Sequence, residues 1–197
     1  MIDKEKTKSR GRPRAFDRDV ALDQAQALFH AHGYDGVGVA ALAQAMGVNP
    51  PSLYAAFGSK AGLFDEVLGR YARTGLPIDT LLAPGADPAT ALGALLRAAA
   101  HIYAADPQAT GCMVLEGARG SDGEAAGCAR TWKEASAQRV RDFLAPTHAD
   151  AMTVVADYMV TVMSGLSADA RAGRSTDRLV AVADMAGLAI SAMLAKA

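Results

Sequence analysis

The sequence predicts an all-α protein in which a small helix-turn-helix unit near the amino terminus precedes a larger helical part. Three observations support this prediction. Apolar residues recur at spacings of three and four, glycines and capping residues divide the chain into segments of helical length, and β-branched runs are too short and scattered for a sheet. Hydrophobic residues make up 51% of the 197 positions, which is enough apolar material for a buried core.

Charge is distributed unevenly along the chain. Residues 1–18 hold seven basic side chains against three acidic ones, whereas the whole chain has a formal net charge of -1. A basic segment beside an acidic domain can bind nucleic-acid phosphates, although such a segment is often simply exposed to solvent without a binding role. No apolar run approaches the ~18 residues of a membrane span and no signal peptide precedes the first helix, so we expect a cytoplasmic protein.

The first helices can be placed from their end signals. In "FDRDVALDQAQALFHAHGY", Asp17 is a plausible N-cap and Gly33 a stop, and the apolar residues between them share one face. A short second helix fits "VAALAQAM", with Gly38 at its cap position and Gly47 after its end.

The stretch "GVNPPSLYAAFGSKAGLF" predicts a third helix and the start of a fourth. Asn49 can cap the third helix, and Pro50 and Pro51 fall in its first turn, where backbone amides have no intrahelical partner. Gly58 ends this helix and Ser59 can cap the next. Two short helices joined by a glycine-containing turn make a helix-turn-helix.

The remainder of the chain is predicted to be helical after a connector. "GLPIDTLLAPGADP" is broken by proline and glycine and indicates a domain boundary. Helical periodicity after it predicts five helices, at roughly 88–105, 112–119, 123–144, 149–172 and 176–195.

Several of these motifs, in this order and spacing, resemble one known family. "GRPRAFD", "ALDQAQALFHAHGYDG", "ALAQAMGVNPPSLYAAFGSKAGLF" and "RYAR" resemble the DNA-binding domain of TetR-type (tetracycline-repressor-like) bacterial transcriptional regulators over residues 11–73. "GLSADARAGRSTDRL" resembles the turn between the last two helices of that family. The resemblance implies a homodimer whose third helix enters the major groove of double-stranded DNA and whose larger helical domain binds a small-molecule inducer.

The resemblance also implies which residues meet DNA. The third helix would present Pro50, Pro51, Ser52, Tyr54 and Ala56, Lys60 would meet a phosphate, and the arm would follow the backbone or enter the minor groove through Arg10, Arg12 and Arg14. Two departures from the family pattern stand out. Residues 37–41 offer no side chain that pairs with a base edge, and Gly62 replaces the acidic residue that would complete a capping box.

The effector site is less clearly indicated. The candidate pocket residues are His101, Tyr103, Cys112, Met113, Trp132, Phe143 and Met159. Cys112 follows a glycine, as in family branches that sense oxidants or electrophiles, yet a free cysteine is also a common small core residue. Cys112 therefore stays open between a thiol sensor and a packing residue. The methionine stripe from Met152 to Met163 favours core or dimer packing over a cofactor site.

The motifs indicate a regulator and not an enzyme. Signatures of nucleophile elbows, zinc sites and phosphate loops are absent from the sequence, so we expect no catalytic residues, no cofactor and no metal. We predict an arm at residues 1–14, a DNA-binding domain at 15–73 and an effector-binding and dimerisation domain at 74–197. The function predicted is a homodimeric repressor, released from a pseudo-palindromic operator by a small molecule or by thiol modification. The alternative is a helical adaptor that kept the fold but lost sequence-specific DNA binding.

Overall fold

The computed structural model describes residues 17–196, and this part of the chain forms ten helices and no strand. The prediction of an all-α fold is therefore confirmed. Within the same span, no helix is both long enough and apolar enough to cross a membrane. The helices are α1 (Arg18–His32), α2 (Val39–Ala45), α3 (Pro50–Phe57), α4 (Lys60–Thr74), α5 (Ile78–Leu81), α6 (Pro88–Ala105), α7 (Met113–Gly117), α8 (Gly123–Leu144), α9 (Met152–Arg171) and α10 (Thr176–Leu194).

The predicted caps position the amino-terminal helices. The Asp17 carboxylate accepts hydrogen bonds from the first turn of α1, the Asn49 side chain accepts from the Ser52 amide at 2.8 Å, and the Ser59 hydroxyl accepts from the Gly62 amide at 2.9 Å. Each bond satisfies an amide that has no intrahelical partner. The turn between α2 and α3 is closed by Gly47, whose φ of 66° favours glycine.

The later helices differ from prediction at a few ends. The proline- and glycine-rich connector contains the four-residue helix α5, which the sequence did not predict. Helix α9 begins at Met152, three residues later than predicted, because residues 147–151 form hydrogen-bonded turns. Helix α7 is also shorter than predicted, ending at Gly117.

Aromatic packing joins α1 to α4. The Phe29 and Phe64 ring centroids lie 5.0 Å apart at an interplanar angle of 70°, and the Tyr34 ring lies 5.1 Å from that of Phe64. Such edge-on contacts add to the burial of the rings themselves. They fix the helix that follows the helix-turn-helix against the helix that precedes it.

The carboxy-terminal helices pack around α6. Helix α10 lies along α6 so closely that a Cβ atom added at Gly187 would sit 3.4 Å from the Cα of Gly93. Helix α9 contacts α6, α8 and α10, and the core beneath these helices is built from leucine, alanine and valine. One helix of this bundle, α8, also packs on α4.

Candidate nucleic-acid interface and effector cavity

Helix α3 presents an exposed face at the amino-terminal end of the molecule. Leu53 and Phe57 are buried beneath it, because they lie four positions apart on one side of the helix. On the other side Pro50, Pro51 and Ser52 are exposed, and 47% of Tyr54 is accessible to solvent. Ala56 is half-buried. The exposed face therefore carries a serine hydroxyl and a tyrosine hydroxyl beside the capped end of the helix.

Arg18 holds the other end of α3, a role that the sequence did not indicate. Its guanidinium donates to the Ala56 carbonyl oxygen at 3.1 Å, pairs with the Glu66 carboxylate at 2.5 and 3.2 Å, and lies 4.5 Å from the Phe57 ring centroid. One side chain thus ties together α1, α3 and α4. A charged donor to a terminal carbonyl and a cation over an aromatic ring both fix geometry at a helix end.

Lys60 lies at the start of α4 and already has a partner in the chain. Its Nζ donates to the Tyr34 carbonyl oxygen at 2.7 Å and lies 3.9 Å from the Tyr34 ring centroid. Partial burial lowers the pKa of this ammonium from its ordinary value, while Asp35 and Asp122 act in the opposite direction. Because an ammonium has three donors, two remain for another acceptor. The Tyr34 carbonyl orients Lys60 although Gly62 removes the capping box.

A small cavity of about 70 Å³ lies between α4, α6, α8 and α9, and α5 and α7 also contribute to its lining. Of the candidate pocket residues, Tyr103, Cys112 and Met159 line it, together with Tyr71 and Lys133. The remaining lining is almost entirely aliphatic, from residues such as Leu95, Val140 and Ala156.

The other candidate pocket residues lie elsewhere. His101 is exposed on α6, and Met113 lines a separate groove with Phe64 and Glu116. Phe143 borders an open groove beside the connector. The Trp132 indole packs on α4 and donates from Nε1 to the Asp65 carboxylate at 2.8 Å. These four residues are excluded from the cavity because their side chains leave α6, α7 or α8 on other sides.

The sequence matches bacterial transcriptional regulators both in its amino-terminal part and over its whole length. The family model described as bacterial regulatory proteins, tetR family, matches residues 21–67. The HTH-type transcriptional repressor BdcR of Escherichia coli (strain K12) is 43% identical over 195 residues, covering 98% of this chain and 99% of BdcR. The chain belongs to the tetracycline-repressor family. Its members are transcriptional regulators and not enzymes, as the sequence predicted.

Two further relatives of this tetracycline-repressor-family chain extend over most of its length. The HTH-type transcriptional repressor ComR of Escherichia coli (strain K12) is 34% identical over 189 residues, with 89% of this chain and 90% of ComR covered. A solved structure of a cysteine-substituted CifR in complex with 26-base-pair double-stranded operator DNA is 35% identical, with a TM-score of 0.79, 91% of this chain covered and 99% of CifR. The likeness includes both the helix-turn-helix and the larger helical part.

Cys112 of this family member sits beside two tyrosines in the cavity wall. Only 7% of the residue is exposed, and burial raises the pKa of its thiol. The side chains of Tyr71 and Tyr103 adjoin the sulfur and oppose that rise. Burial of the phenols likewise raises the pKa of Tyr71 and of Tyr103, so both remain neutral hydroxyl groups near pH 7. The thiol is therefore mostly protonated at rest.

The turn that leads to Cys112 is bonded to α1. His30 Nε2 lies 3.1 Å from the Gly111 carbonyl oxygen, and the Tyr71 ring meets the His30 ring edge-on at 5.4 Å. Arg171 of α9 donates to the carbonyl oxygens of His30 and Thr110, at 3.4 and 3.2 Å. Burial lowers the pKa of His30, which favours the neutral ring as an Nε2–H donor.

A second contact joins the turn between α7 and α8 to the turn between α1 and α2. The Asp35 carboxylate accepts from the Ser121 amide at 3.2 Å and from its hydroxyl at 2.9 Å. Sequence analysis identified neither His30 nor Asp35, since their partners lie more than 80 residues away in the chain. Residues 111–121, which include α7, are therefore bonded to the amino-terminal helices at both ends, through His30 and through Asp35. The arm residues Arg10, Arg12 and Arg14 lie outside the described residues.

Proposed function

We propose that this chain is a homodimeric transcriptional repressor that binds a pseudo-palindromic operator through α3 and is released by an effector. The observation that carries the proposal is the exposed α3 face with Ser52 and Tyr54, held at both ends by Asn49 and Arg18. The operator-bound CifR structure and the repressor names of BdcR and ComR support it. We assign DNA binding to residues 15–73 and effector binding and dimerisation to residues 74–197.

The DNA contacts follow from the side chains available. Ser52 and Tyr54 present hydroxyl groups, which donate to phosphates or read base edges, and Pro50, Pro51 and Ala56 offer apolar contact. Lys60 adds a phosphate contact with its remaining donors. We assign a backbone or minor-groove role to Arg10, Arg12 and Arg14, because sequence-independent affinity comes mainly from such charges.

Dimerisation is proposed through α9 and α10. These helices expose large apolar side chains that the subunit itself leaves uncovered: Val154, Val182, Met185 and Leu188. Met185 and Leu188 are 67% and 66% exposed, which is costly in a monomer and typical of a two-fold interface. Four helices, two from each subunit, would then form the interface.

Two candidate signals could release the protein from DNA, and both would act at the cavity. A small molecule in the cavity would act by binding more tightly to a conformation that has low affinity for the operator. Modification of the Cys112 thiol would act from the same cavity wall, since Cys112 lines it. Burial and the raised pKa of the thiol favour the reversible ligand over a resting thiolate.

Anisotropy titration of a labelled duplex from the gene's own upstream region tests the operator proposal. We expect tight binding to one symmetric sequence and weak binding to a scrambled duplex. Tyr54→Phe should weaken binding, and Lys60→Ala should weaken it across sequences while lowering the salt slope by about one. Tyr158→Phe, on α9, is the matched control. Equal binding to the scrambled duplex would favour the adaptor alternative.

Thiol reactivity separates the two release signals. The chain is treated with N-ethylmaleimide in a Cys128→Ser background, with and without Cys112→Ser, and operator binding is then measured. We expect both proteins to stay bound to DNA, because the Cys112 thiol is buried and protonated. Dissociation confined to the protein with Cys112 would instead identify the thiol as the sensor.

A further inference from the structure

We propose that the cavity binds a small neutral molecule with one hydrogen-bond-accepting oxygen, such as a short ketone, aldehyde or cyclic ether, and that the Tyr103 hydroxyl donates to this oxygen. The inference deepens the proposed function, on which it rests for the regulatory consequence only. Three properties of the cavity lead to it: an unpartnered donor, a small volume and an uncharged inner surface.

The unpartnered donor is the Tyr103 hydroxyl. Tyr103 lines the cavity from α6 with 1% of its surface exposed, and its hydroxyl oxygen has no hydrogen-bond partner among the described residues. The neighbouring polar atom is the Cys112 sulfur, a weak hydrogen-bonding group close enough to shift the pKa of Tyr103, but the geometry of the contact leaves the hydroxyl without a hydrogen-bond partner. Leaving a buried hydroxyl unsatisfied costs free energy, which a ligand oxygen would recover.

The volume limits the size of the ligand. The cavity holds about 70 Å³, whereas pockets for drug-sized compounds span roughly 300–1,000 Å³. Apolar side chains from six helices, α4 to α9, surround this space, including Leu95, Val140 and Met159. A compact molecule with an apolar body and a single polar atom matches such a wall.

The charges around the cavity argue for a neutral ligand. Lys133 of α8 is the charged residue among those that line the cavity, and it is only half-buried. Tyr103 and Cys112 at the inner wall are almost fully buried, and among the described residues no lysine or arginine pairs with either side chain. A carboxylate beside Tyr103 would be desolvated without a countercharge, which is strongly unfavourable.

Three probes of similar size test the ligand class: cyclopentanone, methylenecyclopentane and cyclopropanecarboxylate. Methylenecyclopentane keeps the shape of the ketone but has no acceptor. Binding is followed by methyl NMR of the protein labelled at methionine, with the Met159 signal reporting on the cavity and Met46, at the end of α2 and away from the cavity lining, as internal reference. We expect cyclopentanone to shift Met159 and to bind roughly fivefold more tightly than methylenecyclopentane.

The variant Tyr103→Phe removes only the hydroxyl. The preference for the ketone should be lost or reversed, because its oxygen would be buried without a donor. Tyr158→Phe changes a tyrosine that does not line the cavity and should keep the preference. Tyr103→Phe should also fold and melt about 2–4 °C higher than the parent, because it removes an unsatisfied buried group. A melting midpoint lowered by Tyr103→Phe would show that the hydroxyl has a partner within the protein and would overturn the inference.

The remaining outcomes are equally decisive. The inference is wrong if no probe shifts Met159, if both neutral probes bind equally, or if the carboxylate binds more tightly than the ketone. Operator release is measured separately by anisotropy with cyclopentanone present. Binding at Met159 without operator release would support the ligand class and contradict the proposed release by a cavity ligand.

Discussion

Arg18 is the residue on which the presentation of α3 depends most directly. Its guanidinium contacts the last turn of α3, the Phe57 ring and the Glu66 carboxylate of α4. Arg70 makes a comparable exposed bridge, to Asp19 and Asp23, but joins only α1 and α4. Comparing variants of the two arginines therefore distinguishes an effect on the packing of α1 against α4 from an effect on the position of α3.

We predict that Arg18→Gln lowers operator affinity about five- to tenfold, which corresponds to the loss of one charge-assisted hydrogen-bond network. Anisotropy titration over a series of salt concentrations should give an unchanged salt slope, because Arg18 acts through α3 and not on a phosphate. Arg70→Gln should leave affinity within a factor of about two. A salt slope reduced by about one in Arg18→Gln would instead place its guanidinium on the DNA backbone.

At the scale of elements, α4 is the common partner of the helix-turn-helix and the bundle. It packs on α1 through Phe64. It packs on α8 at Gly69, against which the Trp132 indole lies. A Cβ atom at Gly69 would lie 2.8 Å from the Trp132 ring. The glycine therefore permits close approach of α8, and the hydrogen bond from Trp132 to Asp65 fixes it.

We predict that Gly69→Ala destabilises the protein by about 1–3 kcal/mol, the usual cost of overpacking a tight contact. Trp132 is the single tryptophan in the chain, so its fluorescence should report displacement of the indole directly. Gly127→Ala on α8 is the control, since its added methyl group meets only the flexible end of Arg130 at 3.9 Å. Unchanged emission and stability in Gly69→Ala would contradict the packing described.

His30 gives the junction between α1 and the Gly111 turn a dependence on pH. Burial lowers its pKa from 6.5; Arg171 acts in the same direction, Asp106 opposes it, and the Tyr71 phenol facing the ring is uncharged. The unfolded chain therefore binds a proton at a higher pH than the folded chain does. Stability from the neutral ring is present above about pH 6.5 and is lost as pH falls through the lower folded pKa.

We accordingly expect the free energy of unfolding to decrease between about pH 7 and pH 5, and to decrease less in His30→Gln. Denaturant titrations at several pH values measure this slope. His32→Gln, at an exposed position on the same helix, controls for general effects of losing a histidine. An identical slope in parent and His30→Gln would show that His30 does not contribute.

Short-range and long-range features differ in how far the sequence predicted them. The caps at Asp17, Asn49 and Ser59 were predicted because each acts on an amide within three residues. The residues that line the cavity were only partly predicted, because the direction of each side chain depends on contacts with residues distant in the sequence. Trp132, for example, bonds Asp65 across 67 positions, and this pairing turns it away from the cavity. Helix α5 was missed because four residues carry no periodicity.

The proposed dimer interface places the outward side of α10 against a second copy of the chain. Met185 and Leu188 are the most exposed large apolar side chains of α10, whereas Ala186 is 4% exposed and packs inside its own subunit. A charge at Ala186, an obvious choice from the small-residue pattern of "MAGLAISAML", would damage the subunit core instead of testing the interface. The outward positions are the informative ones.

We predict that Met185→Glu combined with Leu188→Glu halves the mass measured by light scattering, because two like charges would face their symmetry copies. Val20→Glu places a charge at a comparably exposed apolar position on α1 and should leave the mass unchanged. The circular dichroism of both variants should match the parent. A dimeric mass in the double variant would contradict the assignment of α9 and α10 as the interface.

Hydroxyl-radical footprinting on the gene's own upstream DNA tests whether two copies of α3 bind the operator together. We predict two protected segments related by two-fold symmetry, with centres separated by about one helical turn or a whole multiple of it. In Tyr54→Phe both segments should require more protein for protection, and to the same extent. Protection of a single segment, or uniform weak protection along the whole fragment, would contradict the account.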